Sequence, residues 1–71
     1  MEDLTHLEKA LMMVEECKKY AEEHDDEMAH VAEKQAWQQA LLAVRNREKG
    51  YQEAVEAALS TRDISFARFY A

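Results

Sequence analysis

The chain has 71 residues with one glycine, no proline and one cysteine, and its formal net charge is −6. This length allows one domain with a small core, and a single cysteine excludes a disulfide within the chain. Glycine and proline most often interrupt helices, so their scarcity predicts an all-α fold over residues 1–71.

The charge is unevenly distributed. Residues 1–35 carry four bases and eleven acids, a net −7, whereas residues 36–71 carry +1. Because negative charge repels phosphate, we expect no direct nucleic-acid binding. A protein partner with a basic surface would complement the acidic half.

The first predicted helix covers about residues 4–23, because Thr5 and Glu8 have the spacing of a capping box that opens a helix. An apolar stripe with helical spacing follows these two residues. Its main row consists of Leu4, Leu7, Leu11, Val14 and Ala21, with Ala10, Met13, Cys17 and Tyr20 beside it.

A reversal is expected at residues 24–26, where Asp25 or Asp26 has the side chain of a helix cap. One unbroken helix through this point is the alternative. The second predicted helix covers about residues 26–48, since bases in its last turn complement the helix dipole. Gly50 would then close it in the left-handed conformation. Its apolar positions are Met28, Val31, Ala32, Ala36, Trp37, Ala40, Leu41 and Val44.

A third helix is predicted over about residues 51–60, and a short fourth over about 61–70, which Ser60 and Asp63 would open as a second capping box. The alternative is one long helix that tolerates Gly50. A seven-residue apolar beat from Trp37 across Gly50 to Val55 favours that alternative.

The segment from Trp37 to Glu56 resembles part of a tetratricopeptide repeat. The matching residues are Trp37, Leu41, Gly50 and the run Tyr51–Glu56. The resemblance implies a helix–turn–helix, and it implies no binding function, because a solenoid needs about three such units or more.

These elements predict a small bundle of three to four helices built on an antiparallel helical hairpin. A core this small usually needs further support, and a homodimer is its commonest source. We expect Trp37, Leu41, Val44 and Tyr51 to be buried anchors of the core or of the dimer.

Glu27 and His30 form a Glu-x-x-His motif, a spacing that helical dimetal sites use. The motif lies at the end of the predicted hairpin among many other acids, and we expect a solvated polar face there. A small metal-binding bundle is therefore the least favoured function. No residue set predicts catalysis, and we expect no cofactor and no enzymatic activity.

A dense acidic cluster surrounds the predicted reversal. It consists of Glu22, Glu23, Asp25, Asp26 and Glu27. Such a cluster is either a solvated helix junction or a docking surface for a basic groove. As a class, the chain resembles small acidic helical inhibitors of phages and mobile elements, which implies a regulator that docks on a larger, nucleic-acid-handling protein. The alternative is a structural subunit that assembles with itself or with a helical partner.

Three aromatic residues near the C-terminus, Phe66, Phe69 and Tyr70, are a second candidate contact surface. They either pack on the core or across a dimer, or they form a docking tail. The acidic N-terminus lacks the basic and apolar pattern of a signal peptide, and no apolar run is long enough to cross a membrane. We therefore expect a cytoplasmic protein without membrane contact.

Overall fold

A computed structural model describes residues 4–66, which form three α-helices followed by a short 3₁₀ turn. Helix α1 spans His6–Glu22, α2 spans Asp26–Arg45, α3 spans Tyr51–Leu59, and the 3₁₀ turn spans Ser60–Asp63. The described residues contain no β-strand, so the predicted all-α class is confirmed.

Helix α1 begins with the predicted capping box. The Thr5 backbone is extended, with φ −71° and ψ 163°. The Glu8 amide donates to Thr5 Oγ1 at 3.1 Å, and the Thr5 amide donates to Glu8 Oε1 at 3.0 Å. Two amides of the first turn, which have no partner within the helix, are satisfied in this way.

Helix α1 is terminated by a histidine whose backbone has the left-handed conformation. His24 has φ 60°, and its amide donates to the Ala21 carbonyl at 3.1 Å, while the Asp25 amide donates to the Tyr20 carbonyl at 2.9 Å. This pair of bonds defines a Schellman motif. Asp25 Oδ1 then accepts from the Met28 amide at 3.2 Å and caps α2. The alternative of one unbroken helix through residues 24–26 is therefore wrong.

The end of α2 repeats this device with Arg47, which has φ 53°. The Arg47 amide donates to the Val44 carbonyl, and the Glu48 amide donates to the Ala43 carbonyl, both at 3.0 Å. The helix thus ends at Arg45, three residues earlier than predicted, and Gly50 does not close it.

Gly50 instead precedes the first residue of α3, with φ 88°. A Cβ atom at this position would lie 3.1 Å from Leu7 Cδ2 on α1. Both the positive φ and this close approach favour glycine. The continuous helix through Gly50 is wrong, because the backbone turns between Arg45 and Tyr51.

The predicted capping box at Ser60 and Asp63 is also wrong. Ser60 has helical backbone angles, and its hydroxyl donates to the Ala57 carbonyl instead of capping a new helix. Helix α3 therefore tightens directly into the 3₁₀ turn, and the backbone becomes extended at Ile64. Residues 64–66 of the predicted fourth helix are not helical, and its remaining residues, 67–70, lie outside the described residues.

The core is built mainly from alanine, which provides eight of the ten buried apolar residues in the described part of the chain. One cluster joins all three helices and consists of Ala10, Ala40, Ala43, Ala54 and Ala58, with Leu7 and Val55 packed against it. A second cluster consists of Cys17, Ala29 and Ala32, with Tyr20, Ala21, Ile64 and Phe66 packed against it. Such small side chains allow the helix backbones to approach closely, because little side-chain volume separates them.

The predicted anchors Trp37, Leu41, Val44 and Tyr51 are not part of this core. Their exposed fractions are 39%, 67%, 42% and 40%. The interpretation that they are core residues of a single chain is wrong, since the apolar residues of α2 cover two sides of the helix. The alanines face α1 and α3, and the larger side chains remain at the surface.

Candidate functional site

In the described part of the chain, the largest group of exposed apolar side chains lies where α2 and α3 meet. We call it the apolar face, and it consists of Trp37, Leu41, Val44, Tyr51, Val55 and Leu59. Five of these residues are at least 39% exposed, and Val55 is half-buried between the two helices. Monomeric proteins rarely expose large contiguous apolar patches without a role in binding.

Two adjoining depressions shape the apolar face. A cavity of about 130 Å³ lies between Trp37, Leu41 and Leu59, with Ala40 and Ala58 on its lining. A wider depression of about 440 Å³ is lined by Val44, Tyr51, Gln52, Val55 and Glu56. Val55 borders both depressions, so they adjoin at the α2–α3 seam.

The indole of Trp37 is held in place by a polar anchor. Trp37 Nε1 donates to Thr61 Oγ1 at 3.0 Å, and this hydroxyl donates to the Ala58 carbonyl at 2.8 Å. Thr61 is fully buried. The ring is therefore held in one orientation, with its apolar surface partly in water and its one polar atom satisfied.

The predicted acidic cluster is brought together by the α1–α2 junction. Glu22, Glu23, Asp25 and Glu27 are exposed, and Asp26 is half-buried. Within residues 4–66, no lysine, arginine or histidine forms an ion pair with any of the five. Asp25 has a structural role as well, because its carboxylate caps α2.

The Glu27–His30 motif lies in the first turns of α2, beside an open depression that Val31, Lys34, Gln35 and Gln38 also line. His30 Nδ1 is 3.8 Å from Glu33 Oε1. Among the described residues, no group of three or more histidine, cysteine, aspartate or glutamate side chains is arranged to hold a metal ion.

The C-terminal aromatic residues separate into a described part and an undescribed part. Phe66 packs with Ile64 against the cluster of Cys17, Ala29 and Ala32. Phe66 is thus partly buried against this cluster, and the docking role of the three aromatic residues stays a prediction. Phe69 and Tyr70 lie outside the described residues.

One polar cluster was not predicted from the sequence. His6 Nδ1 lies 2.7 Å from Gln39 Oε1, and His6 Nε2 lies 3.4 Å from Glu48 Oε2. The His6 amide also donates to Glu48 Oε1 at 3.3 Å. The three residues come from α1, α2 and the α2–α3 connection, and no sequence spacing relates them. The cluster joins the start of α1 to the end of α2.

The capping box changes the pKa of the Glu8 carboxyl. Hydrogen bonds from the Thr5 amide and from the Thr5 hydroxyl lower the pKa of the Glu8 carboxyl below its ordinary value. These bonds favour the charged form of the carboxylate.

The chain matches no protein-family profile, no curated protein and no solved structure. Within residues 4–66, every helix is too short or too polar to serve as a membrane span.

Proposed function

We propose that this chain is a non-enzymatic protein-binding module whose principal contact surface is the apolar face. The observation that carries the proposal is the distribution of side-chain size on α2. Alanines occupy the side that faces α1 and α3, while Trp37, Leu41 and Val44 remain partly exposed to water. Burial of large apolar side chains is the main source of binding energy in protein interfaces, and tryptophan and tyrosine are prominent among hot-spot residues.

The arrangement that we propose for the scaffold is an antiparallel α1–α2 hairpin closed by α3. Contacts at both ends of the hairpin support it. His6 at the start of α1 contacts Glu48 just beyond α2, whereas Cys17 in the later part of α1 packs with Ala29 in the first turns of α2. A rigid hairpin holds a binding surface in place at little entropic cost.

A second candidate function is a small acidic regulator or inhibitor that docks on a larger protein, including one that handles nucleic acid. The five acids of the α1–α2 junction support it, because their charges are not neutralised within the described chain. An acidic surface accelerates encounter with a basic groove and competes with phosphate for it. A structural subunit that assembles with a helical partner is a third candidate, and it would use the apolar face.

Affinity capture with four immobilised proteins tests these candidates. The wild type is compared with Leu41→Glu, which changes the apolar face, and with Glu22→Lys/Glu23→Lys, which changes the acidic junction. Met12→Glu is the matched control, since Met12 is 51% exposed on α1 outside the apolar face. Asp25 is left unchanged because it caps α2.

The principal proposal predicts a protein that the wild type and Met12→Glu retain and that Leu41→Glu loses. Selective loss by the double lysine variant would instead favour the acidic regulator. If all four proteins retain the same set in the same amounts, neither surface is a binding site and both proposals fail.

A further inference from the structure

We infer that the occupant of the apolar face is the apolar face of a second copy of this chain, in a two-fold symmetric dimer. This inference rests on the proposed protein-binding role of that face. In such a dimer the same surface serves both partners, so a self-complementary patch on one chain is sufficient.

The size of the patch fits this occupant. The six side chains of the apolar face leave on the order of 500 Å² in water, which is near the upper limit for the largest patch of a typical monomer. With the surrounding polar rim, this approaches the ~800 Å² per partner of a standard-size interface. The alanine core provides a second reason, because chains with small cores commonly gain stability from oligomerisation.

The distribution of charge also favours a second copy at this face. Glu56 is the one charged residue that lines the two depressions of the apolar face in the described part of the chain. The face belongs to the half of the chain with a net charge of +1, whereas the other half carries −7. Contact through this face thus places almost no like charge in the interface.

The acidic junction lies far from the proposed contact along the same helix. Leu41 lies fourteen positions after Glu27 on α2, which corresponds to about 21 Å of helix rise. Two chains that meet at their apolar faces keep their acidic junctions outside the contact. The exposed Leu4 before α1 and Met12 on α1 are a less suitable contact surface, since they belong to the half that carries −7. Two acidic halves in contact would repel each other.

The apolar face contains both a small cavity and a protruding side chain that could fill the same cavity on a second copy. The cavity between Trp37, Leu41 and Leu59 is small and apolar, and its size of about 130 Å³ suits a large aliphatic side chain. Leu41, at 67% exposure, is the most exposed of the large apolar side chains in the described chain. In a symmetric contact, Leu41 of each copy would enter the depression of the other. The fixed indole of Trp37 keeps the ordering cost low.

Sedimentation velocity over a dilution series tests the inference with the purified full chain, using the wild type, Leu41→Glu and Met12→Glu. Both substituted positions are more than half exposed, so neither change disturbs the core of a single chain. Circular dichroism and thermal melting of each variant, at a dilution where it is monomeric, check that the helices are intact.

We expect the wild type and Met12→Glu to sediment as dimers and to dissociate on dilution with the same constant. For Leu41→Glu the dissociation constant of the dimer should be at least about 30-fold higher, as expected when a hot-spot residue is lost. A wild type that stays monomeric throughout the series would overturn the inference. So would a Leu41→Glu protein that dimerises like the wild type, or a Met12→Glu protein that is weakened as much.

The outcome is separable from that of the proposed function. A monomeric wild type whose captured partner is still lost by Leu41→Glu would overturn the second copy as occupant and leave the protein-binding role standing. Capture unaffected by Leu41→Glu, together with a monomeric wild type, would overturn both.

Discussion

The two sides of α2 differ in side-chain size more than in polarity. The side that faces α1 and α3 carries a row of alanines, and the side that borders the apolar face carries Trp37, Leu41 and Val44. Helices that pack through alanines approach closely, which leaves no room for larger side chains between them. On this helix the small apolar residues form the core, while the large ones remain partly exposed on the other side.

The largest expected effect comes from enlarging the inner side. Ala43 is fully buried against α1 and α3, so Ala43→Leu forces three additional carbon atoms into a close-packed contact. We expect the free energy of unfolding to fall by about 2–3 kcal/mol, as measured by urea denaturation. The control Gln38→Leu adds a leucine at an exposed position of α2 and should change it by less than about 0.5 kcal/mol. Equal effects at the two positions would contradict the alanine packing.

A smaller loss of stability is expected from a substitution at Gly50, where the α2–α3 connection lies against Leu7 of α1. Gly50→Ala introduces a Cβ atom at φ 88° and 3.1 Å from Leu7 Cδ2. The free energy of unfolding should fall by about 1–2 kcal/mol. Lys49→Ala, at the exposed neighbouring position, is the control and should be nearly neutral. A neutral Gly50→Ala would show that this turn is not a fixed part of the packing.

The two helix ends offer a gain in stability. His24 and Arg47 both occupy the left-handed conformation, which is costly for residues that carry a Cβ atom. His24→Gly and Arg47→Gly should each raise the free energy of unfolding by about 0.5–1 kcal/mol, after the greater freedom of glycine in the unfolded chain is subtracted. As a control, Gln35→Gly lies at an exposed position inside α2 and should lower the free energy of unfolding by about 1 kcal/mol. Destabilisation by all three changes would refute the Schellman geometry.

Truncation on the outer side should barely affect the fold. Leu41 is 67% exposed, so Leu41→Ala should change the free energy of unfolding of the monomer by less than about 0.5 kcal/mol. Val14→Ala, which truncates a buried side chain of α1, should cost more than about 1 kcal/mol. Thermal melts at high dilution measure both changes. If Leu41→Ala lowered the free energy of unfolding more than Val14→Ala, the outer side of α2 would not be peripheral to the fold.

The smallest effect is a pH dependence at the start of α1. The pKa of Glu8 is lowered by hydrogen bonds from Thr5, so its contribution to stability is present above the ordinary glutamate pKa. It is lost as the pH falls through the lowered value in the folded state. The difference in melting temperature between wild type and Glu8→Gln should therefore shrink between neutral pH and about pH 3. A difference that stays constant with pH would show that the capping box does not form.

The elements that local chemistry determines could be predicted from the sequence. The Thr5–Glu8 capping box, the Asp25 cap and the all-α class follow from side chains close to one another in the chain. The closure of both helices by His24 and Arg47 was not predictable from glycine placement, because the motif is formed by backbone hydrogen bonds. His24 and Arg47 both adopt the left-handed conformation although they are not glycines. Gly50 instead directly precedes α3.

The orientation of α2 could not be predicted, since its apolar residues form a stripe wide enough for two different packings. The periodicity of Trp37, Leu41 and Val44 is equally consistent with a core and with a surface patch. The close approach of α1 and α3 to Ala43 decides between them, and that is a property of the assembled bundle. The His6–Gln39–Glu48 cluster was missed for the same reason, because its members meet through tertiary packing alone.

The most direct test of the central claim, that the apolar face is a contact surface between chains, is photochemical carbene footprinting at several protein concentrations. Labelling of Trp37, Leu41 and Tyr51 should be low in concentrated samples and should rise on dilution, while labelling of Met12 stays constant. Labelling of the apolar face that is high and independent of concentration would contradict contact between copies. Labelling that stays low even at the greatest dilution would contradict the exposure of these side chains in a single chain.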